Sequence, residues 1–128
     1  MRVIIDSTVL IHMSTQYNRM VSIMDAKGIT EYCITRVNYI ELLAGASVDS
    51  KPSVRKFLQK YPVLEFDAKA VQLANNLAMR YRVGKKQSKD FLIAATAIAN
   101  KLPLLIENTK DFDYKELKLM TYRIEGQD

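Results

Sequence analysis

Four acids stand where an α/β chain can bring them together. Asp6 ends the apolar run "VII" at residues 3–5, and two hydroxyl residues, Ser7 and Thr8, follow it. Glu41 lies in "RVNYIELLAG", with Val37 four residues before it and Ala44 three after. Asp90 opens the most apolar stretch of the chain, "SKDFLIAATAIA". Asp111 falls in "IENTKDF", with Asn108 three residues earlier. Three of the four have ordinary explanations. Asp6 suits a helix cap, and Asp111 a surface turn. Asp90 suits a first helical turn, where the dipole favours an acid by about 0.3–1 kcal/mol. Glu41 is harder to explain that way. Val37, Ile40 and Ala44 share its face, so it sits on an apolar stripe and needs a partner that its own face does not offer. Carboxylates gathered in one crevice repel, so either some take up protons or a cation holds them. Oxygen donors without Cys or His suit Mg²⁺ or Mn²⁺ rather than zinc. Such an ion activates water for in-line attack at phosphorus.

The elements that must position these acids follow from periodicity. "VII" fits a strand buried on both faces. A helix is predicted over 7–17 and a second over 18–26, closed by Lys27-Gly28. "EYCI" at 31–34 reads as a strand, and Thr35 caps the helix that carries Glu41. A helix over 53–60 and a short strand in "PVLEF" come next. Asp67 then caps an amphipathic helix running to about residue 82. "VGKKQ" is a basic turn, and Ser88 is expected to cap the helix that carries Asp90. "LPLLI" at 102–106 and "MTYRI" supply the last strands. Strands alternating with helices predict a three-layer α/β/α domain with a central, mainly parallel sheet of four or five strands. Ligands bind such sheets at the carboxyl ends of the strands, where Asp6, Asn108 and Asp111 should open together.

Composition narrows the possibilities. A chain of 128 residues fits one domain, 1–128, with a real core. With 48% apolar and 26% charged residues, it is neither disordered nor built to span a membrane. The longest apolar run, 91–99, is interrupted by Thr96 and falls far short of the roughly 20 residues a bilayer needs. The apolar start is too short for a signal peptide, so a cytoplasmic location and no membrane partner are expected. The single cysteine, Cys33, allows no internal disulfide or thiolate cluster and reads as a buried strand residue. The single histidine, His12, excludes two-histidine chemistry within one chain and reads as structural. The net charge of +5 and pI near 9.3 suggest a polyanion partner, though a solvated lysine-rich surface has the same composition. Lys85, Lys86 and Lys89 lead into Asp90, and Lys110 flanks Asp111. These four are the candidate contacts to nucleic-acid phosphates; the alternative is a merely solvated turn.

Three stretches resemble a known family. "VIIDSTVLIH" resembles the strand–Asp–(Ser/Thr) opening of PIN-domain ribonucleases. "TRVNYIELLAG" resembles the stretch that carries their second acid. "SKDFLIAATAIANKLPLLIENTKDF" resembles their C-terminal block. Order and spacing fit across nearly the whole chain, and the length looks most like the VapC-type toxins of toxin–antitoxin pairs. The resemblance implies an Mg²⁺- or Mn²⁺-dependent endoribonuclease. Asp6, Glu41 and Asp90 then occupy the three principal acidic positions, Asp111 the acid of the final loop, Asn108 the polar residue before it, and Ser7 the hydroxyl after the first Asp. It further implies a homodimer and a small antitoxin that inserts near the acids, with DNA reached only through that antitoxin. Met13, Met20 and Met24 on the first helices are soft candidates for an interface, though Met stripes are more often core. Thr8 stands where many members have Asn. Ile106 and Glu107 stand where many have Thr and a basic or small residue. The first of these losses removes a hydrogen bond near the metal, and Glu107 adds negative charge where phosphate should approach. A catalytically weak PIN-like module that binds RNA or a partner is therefore the alternative. A phosphoacceptor receiver lacks its second acid beside Asp6, and a haloacid-dehalogenase-type phosphatase would need an Asp where Thr8 stands.

Overall fold

The computed structural model describes residues 1–107 and 112–124. Its elements run β1 (Arg2–Ile5), α1 (Ser7–Thr15), α2 (Tyr17–Ala26), β2 (Glu31–Thr35), α3 (Arg36–Gly45), α4 (Lys51–Leu58), β3 (Val63–Leu64), α5 (Ala68–Arg80), α6 (Ser88–Ala99), β4 (Leu104–Glu107) and β5 (Leu119–Tyr122). The strand order is β3-β2-β1-β4-β5, and every pairing is parallel. The expected parallel sheet between helical layers is therefore present.

β1 is central because Val3, Ile4 and Ile5 are all fully buried and need cover on both sides. Successive side chains alternate between faces. Val3 and Ile5 join Leu10, Met20, Met24, Ile34 and Leu58 on the face covered by α1, α2 and α4. Ile4 and Cys33 join Ile93, Ala94 and Ala97 of α6 on the other. Each fully buried aliphatic side chain of this kind contributes roughly 1.5–3 kcal/mol. α5 lies against α6 through Ala74, Leu77, Phe91 and Ala95. Among the described residues no helix is long and apolar enough to cross a membrane.

Several expectations need correction. Met13, Met20 and Met24 are buried in the core, the commoner of the two readings, and the interface reading gives way to it. The helix expected over 7–17 stops at Thr15, and Gln16 leaves helical geometry (φ −137°, ψ 50°) before α2 begins. Ser14 and Thr15 hydroxyls both donate to the Ile11 carbonyl there, an alternative partner for the backbone of the last turn. Ser88 is not a cap: it is the first residue of α6, and its hydroxyl donates to the Lys85 carbonyl. β4 begins at Leu104, since Pro103 has no N–H and contributes only its carbonyl, which accepts from Ile4 N. The face of α3 is also different from the predicted stripe. Ile40 is 56% exposed and Ala44 is exposed, while Asn38 is fully buried.

Candidate active site

Asp6 leaves β1 at its carboxyl end, where its backbone N donates to the Leu105 carbonyl of β4 (3.1 Å). It occupies the N-cap position of α1 in extended geometry, yet its side chain makes no capping hydrogen bond. The carboxylate faces α3 instead, where Oδ1 accepts from Asn38 Nδ2 (3.4 Å). The helix-cap explanation for Asp6 is thereby set aside.

Asn38 reaches this point because of how β2 passes into α3. Thr35 ends β2 and caps α3: its hydroxyl accepts from Asn38 N (3.1 Å) and donates to Asn38 Oδ1 (2.6 Å). The Asn38 carbonyl oxygen is thus fixed toward Thr35, and its amide NH₂ must point toward α1. There it donates to Ser7 Oγ (2.9 Å) as well as to Asp6. Ser7 Oγ in turn donates to Glu41 Oε1 (2.5 Å). One directional chain therefore runs from Thr35 through Asn38 and Ser7 to Glu41.

Glu41 finds the partner that its own helix lacked on a different one. Lys89 of α6 places Nζ 2.7 Å from Glu41 Oε2. Glu41 raises the Lys89 pKa above its ordinary value, by hydrogen bonding first and by charge second. Arg36, on the same helix as Glu41, is held by Glu65 instead. Asp90 follows Lys89 in the first turn of α6 and is half-buried. Its charge adds to burial in raising the Tyr114 pKa.

A second polar group borders Asp6. His12 Nδ1 and Tyr122 OH share a buried hydrogen bond (2.8 Å), and His12 Nε2 lies 4.0 Å from Glu107 Oε2. Burial, then the charges of Glu107 and Asp6, push the Tyr122 phenol far above its ordinary value. His12 is structural, as expected. Glu107 is turned toward it, and Ile106 is fully buried in the core on the α6 side.

The structure thus joins Asp6, Ser7 and Glu41 in one network, with Lys89 bound to it and Asp90 alongside. Lys85 and Lys86 are exposed on a single turn of 3-10 helix just before α6. Asn108, Lys110 and Asp111 lie outside the described residues. Among the described residues no three His, Cys, Asp or Glu side chains stand close enough to hold an ion as they are placed. The donor set is nonetheless all oxygen, and an ammonium already rests on one of its carboxylates. That chemistry fits a hard divalent cation. Sequence reasoning missed Asn38 and Tyr122. The spacing Thr35-x-x-Asn38 is a capping-box pattern with Asn in place of Glu or Gln and could have flagged the first; no local signal marks the second.

An all-parallel sheet with Asp6 at the carboxyl end of its central strand, linked through Asn38 and Ser7 to Glu41, defines a class, and the sequence specifies it further. Residues 3–118 match the PIN domain family, and the chain belongs to that family. No curated protein matches the chain. Among solved structures it is similar to VapBC2 from Rickettsia felis bound to a promoter DNA fragment: 22% identity, TM-score 0.73, covering 95% of this chain and 99% of that one. It is similar to a toxin–antitoxin complex from Klebsiella pneumoniae (22%, TM-score 0.71, 95% and 99%). DNA-bound VapBC from Salmonella typhimurium is similar as well (18%, TM-score 0.75, 94% and 98%). At these identities the likeness shows a shared fold over nearly the whole of each chain.

Proposed function

We propose that this PIN domain is a divalent-metal-dependent endoribonuclease, the toxin of a VapC-type toxin–antitoxin pair. The observation that carries the reading is the network itself. Asp6 from the end of β1, Glu41 from α3 and Lys89 from α6 are joined through Asn38 and Ser7, and Asp90 follows Lys89 on α6. Asp6, Glu41 and Asp90 would hold Mg²⁺ or Mn²⁺, with Asp111 or Asn108 completing the shell. A cation there supplies an activated water and neutralises charge on the phosphate under attack.

The chain's own residues do the positioning. Asn38 and Ser7 fix the orientation of Asp6 and Glu41. Lys85, Lys86, Lys89 and Lys110 contact RNA phosphates, which places the backbone without reading its sequence. An antitoxin partner is supported by the complexes that this fold resembles, two of which carry DNA. DNA contact through that antitoxin alone, a homodimer and a cytoplasmic location belong to the same reading and rest on the family resemblance.

Purified protein, freed of antitoxin and given Mg²⁺ or Mn²⁺, should cleave RNA. Asp6→Asn and Asp90→Asn should each reduce the rate by at least about 100-fold. No cleavage by the wild type, together with equal growth of cells induced for wild type and Asp6→Asn, sinks the nuclease reading. The binding-module alternative draws support from Lys89, which neutralises Glu41. Metal binding without cleavage in the same preparation would select it.

A further inference from the structure

We infer that Lys89 couples metal binding to RNA binding, because a divalent ion and an RNA phosphate each claim one half of the Lys89–Glu41 ion pair. The inference rests on the nuclease reading above and adds to it how the site is loaded.

The two partners are held unequally. Glu41 is fixed: Oε1 takes the Ser7 proton, Ser7 is held by Asn38, and the Glu41 side chain is only 27% exposed. Lys89 is 60% exposed, and Glu41 holds its ammonium. Its flexible stem leaves from the first turn of α6, beside Asp90. When the pair opens, Lys89 is therefore the side that moves, while Glu41 stays aimed at the acids. An ammonium 2.7 Å from Oε2 occupies the lone pairs a metal would use and repels a doubly charged ion nearby. Metal alone must displace it into water. With RNA present, the displaced ammonium has a phosphate to go to, a charge-assisted contact in place of the one lost. Each ligand thus removes the obstacle to the other, and linkage requires the effect to be reciprocal.

The ion pair is a contact between full charges, so the device works by displacement of charge.

The test measures Mn²⁺ affinity by electron paramagnetic resonance, with and without a short 2′-O-methyl RNA that resists cleavage. The proteins are wild type, Lys89→Met, Lys89→Arg and, as control, Asp6→Asn. Lys89 is exposed, so both Lys89 variants should fold, and circular dichroism checks this. Lys89→Met should bind Mn²⁺ about tenfold more tightly than wild type without RNA. Lys89→Arg, which keeps the charge, should stay near wild type. The RNA should tighten Mn²⁺ binding to wild type and leave Lys89→Met unchanged. If Asp6→Asn abolishes binding while Lys89→Met matches wild type, or gains as much from RNA, the coupling is overturned and the nuclease reading stands. If neither wild type nor Lys89→Met binds Mn²⁺, both fall together.

Discussion

Asn38 shows how much one buried amide can organise. It closes a helix cap on one side and orients Ser7 and Asp6 on the other. Asn38→Ala would keep the backbone bond to Thr35 Oγ but remove the acceptor of the Thr35 hydroxyl proton and a donor to Ser7 Oγ, both in part-buried or buried surroundings. A loss of about 1–3 kcal/mol of stability is expected. It should appear as a lower urea midpoint with an unchanged slope, and cleavage should fall as the acids lose their orientation. An unchanged midpoint would refute the argument. The sequence exposes part of this arrangement. Glu41 on a helix face without a cation was visibly in need of a partner, and Thr35 was visibly a cap. Lys89 could not be assigned to Glu41 because it arrives from another helix, and no spacing rule links the two. Asn38 was masked by its position inside a helix, where asparagine usually signals only weak propensity.

At the scale of elements, two helix ends use the same hydrogen-bond pattern with different residues. After α2, Gly28 adopts φ +76°, Gly28 N donates to Asp25 O and Ile29 N to Met24 O. After α6, Lys101 adopts φ 55°, Lys101 N donates to Ile98 O and Leu102 N to Ala97 O. Both are left-handed terminations that favour glycine. A Cβ on Gly28 meets nothing within 4 Å, so Gly28→Ala tests backbone strain alone and should cost about 1 kcal/mol. Lys101→Gly should do the opposite and stabilise by up to about 1 kcal/mol. Thermal unfolding of the two variants should move the midpoint in opposite directions, and a shift of the same sign in both would sink the idea. Gly28 as a stop was readable from Lys27-Gly28. The end of α6 was not, since a lysine in this conformation has no sequence mark. The break between α1 and α2 was expected at 17–18 and falls at Gln16, because apolar periodicity does not mark a helix end to the residue.

At the scale of the molecule, two weak acids are sealed on opposite faces of the sheet. Burial raises the Cys33 thiol above its ordinary 9.0 and the Tyr122 phenol above its ordinary 10.0. In the unfolded chain both ionise at their ordinary values, so at high pH the unfolded state binds fewer protons. The stability these groups lend is fully present below about pH 9 and declines as pH rises past it. Urea midpoints measured from about pH 8 to about pH 11 should fall progressively. Tyr122→Phe should lower the plateau, because His12 loses its partner, and should flatten the decline above about pH 10. A slope identical to wild type would exclude Tyr122 as its source.

The place of β1 between β2 and β4 also has a consequence in time. On the ribosome, β1 can pair with β2 once the first thirty-five residues have emerged, but β4 follows only at Leu104–Glu107. At about 5–20 residues per second, several seconds separate the two events. Until then Asp6 lacks the Leu105 carbonyl that anchors its backbone, and Ile93, Ala94 and Ala97 of α6 lack Leu104 and Ile106 to pack against. A nascent chain, or the product of a broken message, therefore carries Asp6, Glu41 and Asp90 before the sheet edge that anchors Asp6 exists.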